Sequence, residues 1–77
     1  MKLTNKFKKA GISKAYANTS LYNNSLEIIY IILVENGAAT KKIKLKPRQM
    51  QILPSVAWSR VILARSEKNT ADLIISK

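Results

Sequence analysis

The chain has 77 residues, with 14 Lys and Arg against 4 Asp and Glu for a net charge of +10, and it contains neither Cys nor His. That length holds one small domain. The missing residue types exclude disulfides, thiolate chemistry, an imidazole base and the commonest metal ligand. With 47% apolar residues the chain carries enough material for a core and is not disordered by composition.

Residues 1–25 read as a basic N-terminal arm, and residues 26–77 as a small β domain. The arm holds Lys2, Lys6, Lys8, Lys9 and Lys14 and no acid. Leu3, Phe7 and Ala10 fall at helical spacing and predict a short amphipathic helix that Gly11 ends. Such a segment is below the length at which a helix stands alone, so it is expected to form only when docked. Residues 17–25 read as an irregular connector. Met1 and Lys2 give a positive start, but no run of ~7–15 apolar residues follows, so no secretory signal peptide is expected. The sequon Asn18-Thr19-Ser20 is then a chance match.

From Leu26 the character changes. Leu26–Glu35 is rich in β-branched residues and ends at Asn36-Gly37, the strongest short hairpin signal, because a type I′ turn needs positive φ at both central positions. The apolar run Ile28–Val34 is far short of the ~20 residues of a membrane-spanning helix. A regular ladder from that turn sets Val34 opposite Ala39, Ile32 opposite Lys41, Tyr30 opposite Ile43 and Ile28 opposite Leu45. It makes Ile28, Tyr30 and Val34 the core face and leaves Ile29, Ile31 and Leu33 opposite Lys44, Lys42 and Thr40. A strand apolar on both faces lies in the middle of something. Ile29, Ile31 and Leu33, with Leu3 and Phe7 of the arm, are therefore the candidate subunit contacts, unless later strands fold back over the ridge. Lys46-Pro47-Arg48-Gln49 reads as a turn, and strands are expected at 50–53, 56–65 and 70–76. Short strands at this spacing predict a mainly β fold, a five-stranded antiparallel sandwich or open barrel.

No catalytic set is legible, and no enzyme is expected. Glu27 and Glu35 are eight residues apart on one strand, roughly 26 Å at ~3.3 Å per residue. Only Gly11 and Gly37 are present, so no glycine-rich phosphate loop exists. A nucleophilic Ser or Lys would have no His base. No cofactor, metal or small-molecule substrate is implied, and the arm has too few large apolar residues for a membrane-surface helix.

The second basic segment holds Lys41, Lys42, Lys44, Lys46 and Arg48. Two uses compete for it. As the exposed side of an edge strand, lysines block unwanted strand pairing and lay their methylene stems over apolar neighbours. Together with the arm lysines, the same residues could instead bind polyanion through phosphate contacts, with Tyr16, Tyr22 and Trp58 available for stacking. No RRM, KH, helix-turn-helix or zinc signature accompanies them.

Leu45-Lys46-Pro47-Arg48-Gln49, then Ile52-Leu53-Pro54-Ser55 and a long strand, resembles the turn–strand–turn pattern of small immunoglobulin-like or jelly-roll modules found among minor structural and decoration proteins of bacteriophage virions. The resemblance covers about residues 26–76 and transfers no functional residue. It implies a non-enzymatic component of a virion, resident there or in the host cytoplasm, that binds copies of itself or a shell protein. The alternative expectation is a nucleic-acid-binding module, ribosomal or nucleoid-associated.

Overall fold

The computed structural model describes residues 1–76 and contains eight β-strands: β1 (Lys2–Leu3), β2 (Lys8–Ser13), β3 (Thr19–Asn23), β4 (Ile29–Glu35), β5 (Ala38–Leu45), β6 (Met50–Leu53), β7 (Arg60–Ser66) and β8 (Ala71–Ser76). They form two four-stranded antiparallel sheets, β1–β8–β3–β6 and β2–β7–β4–β5, stacked as a sandwich with no closed barrel. Strict alternation of buried and half-buried positions along β3, β4 and β7 gives each sheet one inner face. Leu3, Leu21, Leu53, Ala71 and Leu73 from the first sheet meet Ile29, Ile31, Leu33, Leu45, Ile62 and Ala64 from the second. Each large side chain sealed in this way contributes about 1.5–3 kcal/mol.

The expected arm does not exist as an arm. Residues 1–25 supply three strands, divided between both sheets, and no helix forms. An isolated helix of this length has too few backbone hydrogen bonds to offset its nucleation. As strands, the same residues pair with β7, β8 and β6. β3, expected as connector, lies between β8 and β6, with Thr19, Leu21 and Asn23 turned inward.

The ridge expected at a subunit contact is also internal. Ile29, Ile31 and Leu33 are 0%, 1% and 1% exposed, and Leu3 joins them in the core. A single residue causes this reversal. Asn36 and Gly37 do adopt positive φ, 52° and 79°, and Val34 does pair with Ala39. The ladder then shifts, with Leu33 pairing Lys41 and Ile31 pairing Ile43, so that Thr40 is the unpaired residue of a β-bulge. Its hydroxyl donates to Glu35 Oε1 at 2.7 Å. A slip of one residue exchanges faces. It sets Ile31 across from Ile43 and Ile29 across from Leu45, and turns Lys42 and Lys44 outward beside Ile32 and Tyr30.

Buried polar groups tie the two layers together. The Asn23 amide donates to Leu45 O at 3.0 Å, Lys46 O at 3.1 Å and Glu27 O at 2.6 Å, linking β3 to the end of β5 across the sandwich. At the opposite end Arg60, 5% exposed, donates from Nη2 to Ser13 Oγ at 3.1 Å and Pro54 O at 2.7 Å. Lys46–Gln49 forms the expected turn, closed by Gln49 N donating to Lys46 O at 3.0 Å, with Arg48 at φ 61°.

Candidate docking face

The outer face of the β2–β7–β4–β5 sheet is built in cross-strand rows. One row runs Lys9–Leu63–Ile32–Lys42, a second Arg65–Tyr30–Lys44, and a third Ile12–Val61–Val34–Ala39. The centre is apolar and half-buried, although no other sheet lies over it. Its two rims are edge strands, β2 and β5, and each carries lysines. Two basic segments remote in sequence thus frame one surface, with Lys9 and Lys42 three strand spacings apart, roughly 14 Å.

The cations on this face lack intramolecular counter-charges. Among the described residues the sole ion pair joins the Met1 amine to Asp72 at 3.0 Å. The four carboxylates are engaged as structural acceptors instead. Glu27 holds the β7–β8 turn: the Ser66 and Thr70 hydroxyls donate to it, and the backbone N–H groups of Lys68 and Asn69 at 3.1 and 3.2 Å add to them. The Ser66 hydroxyl, then that of Thr70, pull its pKa down to about 2. Glu35 is lowered by hydrogen bonds from Thr40 and then Trp58, and Asp72 by the N-terminal amine and then Asn24. Glu67 accepts from the Tyr30 hydroxyl at 3.2 Å.

Arg65 and Tyr30 stack on each other within the face. The Arg65 guanidinium carbon lies 4.5 Å from the Tyr30 ring centre and 5.4 Å from that of Phe7. Cation–π contact and the Nη1 bond to Ser66 O at 3.1 Å hold it flat against the sheet.

The sequence-derived candidates divide on this geometry. Lys8, Lys9, Lys41, Lys42 and Lys44 belong to the two edges of one sheet, and Phe7 is exposed beside Arg65. Lys2 stands apart, on β1 opposite Asp72, while Lys6 and Lys14 are exposed just outside β2. Lys46 and Arg48 belong to the β5–β6 turn, and Arg48 donates to Asn24 Oδ1 at 2.6 Å. Leu3, Ile29, Ile31 and Leu33 face inward and cannot meet a neighbour. Of the aromatics considered for stacking, Tyr16, Tyr22 and Trp58 all lie off this face, and Trp58 donates to Glu35. Tyr30, Ile32 and Arg65 escaped the sequence reading because a regular ladder turns Tyr30 inward. The signal for them was the alternation of Lys42 and Lys44 with Ile43 and Leu45 on β5, beside which the bulge sets Ile32 and Tyr30.

Among the described residues no group of His, Cys, Asp or Glu could hold a metal ion. Comparison of the chain with protein-family models, with curated proteins and with solved structures finds no match.

Proposed function

We propose that the protein is a non-enzymatic assembly module that docks the outer face of its β2–β7–β4–β5 sheet onto an acidic-rimmed apolar patch of a neighbouring protein. One observation carries this reading: an apolar centre of Ile32, Leu63, Val34 and Val61 flanked on both edges by unpaired cations. An apolar middle, a charged rim, and Tyr and Arg as anchors are the usual anatomy of a protein interface. At ~4.8 Å per strand and ~3.4 Å per residue, four strands of up to about seven residues offer roughly 400 Å² of projected face. That is about half the ~800 Å² per partner of a standard interface. A single contact is therefore weak, and a particle in which the neighbour repeats suits it. The likeness of residues 26–76 to small virion modules agrees with such a setting.

A second reading, binding of single-stranded nucleic acid, draws on the same unpaired lysines. The aliphatic centre speaks against it, since bases stack on aromatic rings. Carbodiimide cross-linking in cells that make the protein separates the two. The expected result is Lys9, Lys42 and Lys44 joined to Asp or Glu of one recurring protein. Micromolar binding of a mixed-sequence single strand with a steep salt slope, and no such cross-links, would replace assembly by nucleic-acid binding.

A further inference from the structure

One corner of the docking face is a cleft of about 250 Å³, lined by Phe7, Tyr30, Ile32, Lys42, Lys44 and Arg65. Its walls are aromatic and aliphatic, and three of its side chains are cations with no carboxylate in ion-pair distance among the described residues. Arg65 commits Nη1 to Ser66 O, which leaves further donors of the fork for a ligand. Its stacking on Tyr30 at 4.5 Å fixes the guanidinium before anything binds. The Tyr30 ring is in turn oriented by its hydroxyl bond to Glu67. A preset fork loses less freedom on binding than a mobile one.

Resting on the docking reading, we propose that this cleft is the anchor of the face and receives a carboxylate carried next to an apolar group. The occupant is the end of a partner chain whose last side chain is apolar. Three features select it. The volume lies below the ~300–1,000 Å³ of pockets for whole small molecules, so one residue fills it. The apolar lining matches an apolar side chain. The planar fork of Arg65, with Lys42 and Lys44 beside it, suits a carboxylate. An internal Glu or Asp shares that anion but brings no neighbouring apolar group into the same cleft.

The test is an NMR titration of the isotopically labelled full chain with four probes. They are acetyl-Ala-Ala-Leu as the free acid, the same peptide as C-terminal amide, acetyl-Ala-Glu-Ala amide and adenosine monophosphate. The free acid is expected to give saturable shifts at Tyr30, Ile32, Lys44 and Arg65. The amide and the internal-Glu peptide should bind about tenfold or more weakly, the loss typical of one charge-assisted hydrogen bond. Arg65→Gln and, separately, Lys44→Gln should show the same loss with the rest of the spectrum unmoved. Equal binding of acid and amide, tighter binding of the nucleotide at these resonances, or shifts elsewhere in the chain would each overturn the assignment. Cross-links on the face without peptide binding would remove the cleft and leave the docking face. Peptide binding without cross-links would keep the cleft and remove the assembly role.

Discussion

The two outward faces of the sandwich arise from one pattern, alternate residues turned away from a shared core, yet they differ in charge. The outer rows of the β2–β7–β4–β5 sheet carry Lys9, Lys42, Lys44 and Arg65 and no acid. Those of the β1–β8–β3–β6 sheet carry Lys2 opposite Asp72 and no other charge. The neutral face shows the row Met50–Tyr22–Ile74 and the exposed Ile52. The lesson is one of pairing. Chain order scatters the lysines, but β2 and β5 are the two edges of the same sheet, so their fields add there.

The sharpest way to break the contrast is to move residues between inside and outside. Deleting Lys44 leaves β5 without a fitting register, since either Lys42 falls opposite Ile31 or Lys46 falls opposite Ile29 on the core face, and the variant is expected to lose its cooperative urea transition. Deleting Thr40, four positions away, removes only the bulged residue and keeps every pair from Leu33 onward. Its cost should be small, that of the exposed Thr40–Glu35 hydrogen bond, with the cooperative transition kept. Comparable losses from the two deletions would refute the bulge.

The neighbours Ile31 and Ile32 sharpen the same point. Ile31→Ala, in the core, should destabilise by about 2–5 kcal/mol in denaturant titration. Ile32→Ala, on the outer row, should cost less than about half of that while weakening cross-linking to the neighbour.

Acid acts on the ties rather than on the faces. The folded-state pKa of Glu27 is depressed to about 2 from an ordinary 4.5, so its stabilisation is complete above pH 4.5 and is lost as pH falls toward 2. Glu35 and Asp72 are shifted the same way and contribute with the same sign. A melting temperature that falls over this window, with a shallower fall in Glu27→Gln, is the expected outcome. The smallest effect is reserved for Asp72→Asn. Its ion pair with the Met1 amine is partly exposed, and the smallest loss of the set is expected by denaturant titration.

The all-β class, the Asn36-Gly37 turn, the Lys46–Gln49 turn and the five strands from Ile29 onward were legible, because alternation and turn chemistry are local signals. Local signals were not enough for β3. Thr19 and Asn23 are polar, and partners such as Ser13, Leu45 and Lys46, brought close by the fold, make their burial tolerable. Nor does composition betray a bulge. Thr40 looks like any strand residue, yet it decides which side of β4 is core. The docking face shared that fate, since it joins Phe7 to Tyr30, Arg65 and Lys44 through pairings visible only in three dimensions.

The pairing order also constrains synthesis. In the backbone ladders β1 pairs with β8, β2 with β7, and β3 with β6 and β8. On a translating ribosome β1 and β2 therefore wait without ladder partners until β8 and β7 clear the exit tunnel, and β3 until β6 does, while the β4–β5 hairpin is free to close early. Closing such distant contacts is slow, which makes the nascent leading segment the stage at which chaperone binding or proteolysis would act.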